Sequence, residues 1–249
     1  MPPLRCPADA LPLLEDAGGA GWACEGGHRY PERDGVLELL PGGHAPGFGR
    51  LRAATYNLTF DLINVRRLFG ARPRDVRELH RDAARAARGG ILLDVACGTS
   101  RWALPHLQPE GVATYLGVDS AMPMLRLAAR AARRRRGLDA RLVHSEAQRL
   151  PLREGSVDAA ISSLGLQFVA ELPEALAELR RVLRRGGGLF AVAPALGLRA
   201  RYDRRHQERA RRDFPLELAR WPAQLEAAGF DAPDVRIVGA LVFTRARAA

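Results

Sequence analysis

The chain contains no lysine. All 38 basic residues are arginine, set against 28 acids, for a formal net charge of +10. A surplus of cations invites a polyanion, because arginines neutralise phosphates and release counterions. The missing lysine argues for a blander source. Beside so much alanine, glycine, leucine and proline, an arginine-only basic set reads as coding-sequence bias as much as selection for a guanidinium. Cysteine is scarce too, at three residues, Cys6, Cys24 and Cys97. A small odd number excludes a disulfide framework. Long apolar runs are absent: nothing approaches the roughly 18–20 residues a membrane helix needs. The start, MPPLRCPAD, lacks the apolar core of a signal peptide. The expectation is a cytoplasmic protein with no membrane partner.

What is present suits one large α/β domain and a small appendage: 249 residues, 47% hydrophobic and 27% charged. Residues 1–41 form a Pro/Gly-rich module with two of the cysteines, and residues 42–88 a linker (GGHAPGFG) followed by helices. Leu51, Tyr56, Leu58, Leu62, Val65, Leu68 and Phe69 recur at helical spacing, with a break near Gly70–Pro73 and an end at Gly89–Gly90. From residue 89 to 249 the pattern alternates. Strands are expected at 91–95, 113–118, 141–144, 157–162 and 188–193, and helices at about 101–108, 121–136, 171–184 and 215–228. Such alternation implies a doubly wound, mostly parallel sheet with helices on both faces. The two late strands, near 234–238 and 240–246, are separated by little more than Gly239. A parallel crossover needs far more chain, so this pair must be an antiparallel hairpin. The expected total is seven strands with the last antiparallel.

ILLDVACGTS, residues 91–100, runs an apolar strand into an acid and then into very small side chains. In a doubly wound sheet the first strand–helix turn lies where ligands bind. Small residues there let a ligand reach the backbone, and the next helix offers unpaired N–H groups. The second strand, TYLGVD, ends in Asp119, 25 positions after Asp94. A carboxylate there is suited to the two hydroxyls of a ribose. The dinucleotide pattern G-x-G-x-x-G, laid on Ala96–Arg101, fails at its first and third glycines. A pyrophosphate would also have little use for Asp94 beside it, whereas a cationic amino group would. Taken singly, Asp94 and Asp119 also suit helix N-caps, and Met124 a core position. Their joint order favours an adenosyl ligand carrying a cation.

LLDVACGTSRWA followed by YLGVDSAMPML resembles the first two motifs of the class I S-adenosylmethionine-dependent methyltransferases. SEAQRLPLREGSVDAAISSLGLQFV, LAELRRVLRRGGGLFAV and WPAQLEAAGF continue the likeness in order, over about residues 89–249. The resemblance implies a Rossmann-like methyltransferase fold with S-adenosylmethionine as cofactor. It implies that Asp94, Ala96, Cys97, Gly98 and Ser100 line the methionine half. Asp119 would hold the ribose, with Ser120 and Met124 beside ribose and adenine. Glu146, Ala147 and Gln148 would sit at the adenine edge, and Ser162 and Ser163 would face cofactor and substrate. This chain departs from the family in carrying Ala96 and Ser100 where glycines are usual, and Glu146 where Asp is common. Methyl transfer from a sulfonium is an in-line displacement with a neutral leaving group, so alignment and exclusion of water can suffice. No catalytic residue is assigned. His144, Gln167 and Tyr56 are candidates to position an acceptor.

In the N-terminal module, Cys6 and Asp9 are separated by two residues and Cys24 and His28 by three. Four potential ligands on two turns is the layout of a zinc knuckle. The module is similar to that of the 23S rRNA guanine-N1 methyltransferases, with Asp9 in place of a cysteine. The alternative is a module that has lost its metal and is held by Leu13, Trp22, Tyr30 and Leu37. Two basic segments, Arg130–Arg136 and residues 199–214, suit a solvated helix end and a charged lid or RNA contact respectively. Three functions follow: a methyltransferase on a small molecule, a methyltransferase on ribosomal RNA, or a non-catalytic cofactor- or RNA-binding protein that retains the fold.

Overall fold

The computed structural model describes residues 3–16, 21–40, 65–169, 171–195, 197–198 and 218–249. Tyr56, the linker at 42–49 and the basic segment 199–214 lie outside the described residues. Eleven strands form one mixed sheet. They are β1 (Leu14–Glu15), β2 (Gly21–Ala23), β3 (Arg29–Arg33), β4 (Val36–Glu38), β5 (Ile91–Val95), β6 (Thr114–Asp119), β7 (Asp139–His144), β8 (Val157–Ser163), β9 (Leu183–Pro194), β10 (Phe230–Val238) and β11 (Leu241–Ala248). The helices are α1 (Pro73–Ala86), α2 (Leu104–Leu107), α3 (Met122–Arg133), α4 (Leu172–Val182) and α5 (Trp221–Ala227).

The strand order is β1-β2-β3-β4-β7-β6-β5-β8-β9-β11-β10. β7, β6, β5, β8 and β9 run parallel, and order reverses beside β5, so the turn after β5 sits at the topological switch point. β10 and β11 form the expected antiparallel hairpin, and β11 pairs antiparallel with β9. The expected seven strands are the run from β7 to β10. The count of seven is corrected to eleven because the N-terminal module adds four short strands to the same sheet. β4 lies parallel to β7, pairing Val36 with Leu142, Leu37 with Val143 and Glu38 with His144.

The period-two alternation of the central strands sorts side chains between two cores. Leu93, Val95, Leu116 and Val118 join one cluster with Leu176, Leu179 and Trp221 from α4 and α5. Leu92, Tyr115 and Ile161 join the other, with Leu79 of α1 and Leu125 of α3. The first cluster also takes Leu4, Cys6, Leu13, Trp22, Cys24, Leu37 and Leu39, so the N-terminal module shares its core with the central sheet. α1 starts with Pro73 at its first turn and Asp75 reaching back to the Arg72 N–H at 3.0 Å. Among the described residues no helix is long and apolar enough to cross a membrane.

Candidate functional site

Three residues of the turn after β5 adopt left-handed backbone: Ala96 at φ 55°, Gly98 at 54° and Ser100 at 54°. Only Gly98 does so without steric cost. The path is over-determined by its surroundings. Asp119, at the tip of β6, accepts the Gly98 N–H at 2.7 Å through Oδ2 and the Ala121 N–H at 2.7 Å through Oδ1. Burial raises its carboxyl, while those two backbone bonds oppose the rise. An ionised carboxylate has about four acceptor positions, so two remain for ligand hydroxyls. Met124, buried on α3, brings its Cε within van der Waals reach of the Gly98 Cα face.

Asp94 has a different environment one strand over. It is buried, and Tyr115 donates its hydroxyl to Oδ2 at 2.8 Å. The Ser100 Oγ lies 2.8 Å from the same tyrosine oxygen, so Ser100 donates and Tyr115 passes its proton side to the acid. Desolvation pushes Asp94 up to about 7, the tyrosine bond opposes this, and the charge of Asp119 adds to it. Ser100 therefore takes a left-handed conformation that favours glycine, at the cost of backbone strain, and contributes a hydroxyl to this chain of bonds. Tyr115 was missed in the sequence. Its signal was a hydroxyl on a strand buried on both faces, which demands a partner.

The remaining edge residues fall around the same turn. Ser162 is fully buried at the end of β8, and its Oγ has no hydrogen-bond partner among the described residues. Ser163 Oγ and Gln167 Oε1 are likewise unpartnered, while Gln167 Nε2 donates to the Leu164 carbonyl at 2.8 Å. Gly165 packs on Ala96: a Cβ there would stand 2.3 Å from the Ala96 methyl and 3.4 Å from Ser162 Oγ. Ser120 is half-buried, and its carbonyl lies 3.1 Å from Nε2 of buried His144. His144 is thus committed to holding the β6 turn. The Ser145 N–H binds the Asp119 carbonyl at 3.1 Å, leading into Glu146 (exposed), Ala147 (buried) and Gln148 (half-buried). Cys97 is half-buried, and its thiol is raised well above its usual range, by desolvation first and then by Asp119 and Asp94. A raised thiol pKa keeps it in the protonated, less nucleophilic form.

The second cluster gathers Cys6, Asp9, Cys24 and His28, whose ligand atoms all lie within 4.8 Å of one another. Asp9 Oδ2 is 3.2 Å from Cys24 Sγ and 3.0 Å from His28 Nδ1, and Cys24 Sγ is 3.4 Å from His28 Nδ1. A zinc tetrahedron with ordinary bond lengths has edges of roughly 3.3–3.8 Å; the Asp9, Cys24 and His28 atoms stand near such edges, and Cys6 completes a donor set of two thiols, one imidazole and one carboxylate. The turns are shaped for it. Gly27, at φ 84°, returns its N–H to the Cys24 carbonyl at 3.0 Å. A Cβ on Gly26 would stand 2.1 Å from Asp9 Oδ2. Hydrogen bonds hold Asp9 below its usual carboxylate range, that from Cys6 foremost. The Tyr30 hydroxyl lies 3.2 Å from Cys6 Sγ.

Strand order reverses beside β5 and acids stand at the ends of β5 and β6, the arrangement of a doubly wound, Rossmann-like sheet. Residues 93–191 match the family described as "Methyltransferase domain". The demethylmenaquinone methyltransferase of Thermus thermophilus is 38% identical over 53% of this chain and 60% of its own length. The ubiquinone/menaquinone biosynthesis C-methyltransferase UbiE of Dinoroseobacter shibae is 40% identical over 49% of this chain and 50% of its own. The chain thus spans little more than half the length of these curated relatives. Phosphoethanolamine N-methyltransferase 2 of Haemonchus contortus, solved with phosphomonomethylethanolamine and S-adenosylhomocysteine, superposes with a TM-score of 0.64 over 80% of this chain and 57% of its own. At 14% identity that likeness is one of fold alone.

Proposed function

We propose that the protein is an S-adenosylmethionine-dependent methyltransferase acting on a small molecule, with residues 89–249 as the transferase unit. The carrying observation is the pair of acids at neighbouring strand tips around a backbone-lined turn. Asp119 offers its spare lone pairs to a ribose diol. Asp94, Ala96, Gly98 and Ser100 border the methionine half, with Asp94 facing a cationic amino group. Ser120 and Met124 flank the ribose and adenine, and Glu146, Ala147 and Gln148 the adenine edge. The orphaned Ser162 hydroxyl suits a polar group of cofactor or acceptor. The cofactor supplies a methyl group on a sulfonium that leaves as a neutral thioether. The chain's own work is alignment and exclusion of water, worth on the order of 7–11 kcal/mol at best. The quinone methyltransferase relatives support a small acceptor.

The alternative of a ribosomal RNA substrate rests on the net charge and the Cys/Asp/Cys/His cluster. Against it, several arginines of the described surface are paired with acids, among them Arg85 with Glu110 at 3.0 Å, Arg184 with Asp158 at 2.8 Å and Arg245 with Asp82 at 2.7 Å. We assign the cluster to a structural zinc ion, held by two thiolates, one imidazole and one carboxylate. Zinc there supplies cross-linking of two turns in a module of short strands, beside the core it shares with the central sheet. The function is tested by incubating the protein with methyl-tritiated cofactor and a cell extract. Label in the metabolite fraction is expected. Label confined to RNA overturns the small-molecule assignment, and no label in any fraction overturns methyl transfer.

A further inference from the structure

The segment proposed to border adenine, residues 145–149, hangs between two attachment points, and the N-terminal module supplies backbone pairing at each, a strand at the first and an isolated bridge at the second. Before it, β4 pairs with β7, and the Leu39 N–H continues the ladder to the His144 carbonyl at 3.1 Å. The His144 ring in turn meets the Ser120 carbonyl, next to Asp119. After it, Leu4 bridges Leu152, the Arg5 N–H reaches the Pro151 carbonyl at 3.0 Å, and the Arg153 N–H reaches the Pro3 carbonyl at 2.9 Å. Residue 5 immediately precedes the ligand Cys6. The packing repeats the pattern: Leu150 and Leu152 share one buried cluster with Leu4, Cys6, Cys24, Leu37 and Leu39. The Cys24 thiol lies inside this cluster, so the order of the four-ligand centre and the order of the segment depend on the same packed side chains.

We propose that the four-ligand centre positions the adenine-edge segment, so that metal occupancy of the N-terminal module sets affinity for the adenosyl cofactor. This rests on the cofactor and zinc assignments above. With the centre filled, Cys6 is fixed, residues 3–6 are held in register against 150–153, and β4 is held against β7. With it empty, four polar donors and acceptors within 4.8 Å lose their common partner, and both attachments loosen together. The downstream end keeps a second anchor. Leu150 donates its N–H to Glu178 at 2.7 Å, and Arg181 donates to the Leu152 carbonyl at 2.7 Å and the Leu150 carbonyl at 3.0 Å. Metal loss therefore weakens cofactor binding without abolishing it.

The test uses the full chain. Zinc content is measured by mass spectrometry, S-adenosylhomocysteine binding by calorimetry, and amide exchange by peptide, before and after dialysis against a chelator. One zinc per chain is expected. Its removal should raise the dissociation constant about three- to tenfold and speed exchange across 145–152. The peptides of β5 and β8 should stay protected, and added zinc should restore both readouts. Arg5→Pro, which deletes one attachment and no ligand, should keep its zinc, yet loosen 150–152 and weaken binding about threefold. Unchanged affinity and exchange in a metal-free, folded chain overturn the proposal. So does unchanged affinity in a folded Arg5→Pro variant. A chain that binds S-adenosylhomocysteine but no zinc overturns it while leaving the cofactor assignment standing. A zinc-loaded chain that binds no S-adenosylhomocysteine removes both the proposal and the cofactor assignment.

Discussion

The turn after β5 is built from backbone, and the cluster of Cys6, Asp9, Cys24 and His28 from side chains. At the turn, the fold asks for small residues and a left-handed path, and Ala96 and Ser100 supply it in place of glycine because Asp119 and Tyr115 hold the path from outside. At the cluster, each position contributes one donor atom, and Asp9 contributes a carboxylate oxygen beside two sulfurs and an imidazole nitrogen. A backbone site tolerates substitution as long as φ is met. A side-chain site changes its chemistry with every replacement.

The comparison sharpens most at Asp94, the one buried acid of the backbone site. Its folded-state carboxyl sits near 7, raised from 3.8 by desolvation first. A raised acid favours the neutral form when folded. The destabilising effect is absent below the unfolded value near 4, grows as pH rises, and is complete above about 7. Free protein is therefore expected to lose stability between pH 4 and 7, by on the order of 4 kcal/mol from this group. Denaturant titrations of Asp94→Asn should lack that component, and an identical pH profile would remove the assignment. In turn, S-adenosylhomocysteine affinity should rise as pH increases toward 7, as its ammonium group gains a charged partner.

Next is Cys24→Ala at the side-chain site. Four-ligand zinc sites bind with roughly 10–16 kcal/mol, so one donor carries about 3 kcal/mol. Competition with a chromophoric chelator should show zinc affinity reduced by more than about a hundredfold, while Ser100→Ala should leave it unmoved. Asp119→Ala should weaken S-adenosylhomocysteine binding by about 1–3 kcal/mol in calorimetry, and leave zinc content unchanged. Equal affinity would take Asp119 out of the site. The smallest effect sets the two non-glycine turn residues against each other. Ala96→Gly should stabilise the fold by about 1 kcal/mol by relieving the left-handed alanine, read as a rise of about 2–4 °C in Tm. Ser100→Gly should not, because it also loses the Tyr115 bond. Gly165→Ala should be tolerated better in the Ala96→Gly background, since its added methyl meets the Ala96 methyl.

Much of this was legible because both sites leave local marks. Small residues between a strand and a helix, an acid at the next strand's tip, and paired ligands on two turns are short-range signals. The hairpin of β10 and β11 followed from the length of its connection alone. What escaped the sequence was non-local. Tyr115 meets Asp94 only because β5 and β6 pair Leu92 with Tyr115, which sets both side chains on one face. β1 to β4 are two to five residues long, too short for periodicity to register, and the parallel pairing of β4 with β7 joins segments about a hundred positions apart. β9 begins at Leu183 and runs through Arg-Arg-Gly-Gly-Gly, a stretch whose composition reads as a turn. The expected helix at 101–108 shrinks to Leu104–Leu107, with Pro105 in its first turn and a turn to Gly111 after it.

The central claim is that an adenosyl ligand lies across the carboxyl edge of β5, β6 and β7. The most direct measurement is amide hydrogen exchange with and without S-adenosylhomocysteine. The account predicts slowed exchange in peptides covering residues 96–100, 119–121 and 145–148, with the opposite edge of the sheet around Asp158 and Gly186–Gly188 unchanged. Protection at that opposite edge, or saturating binding with no change at these three segments, would contradict it.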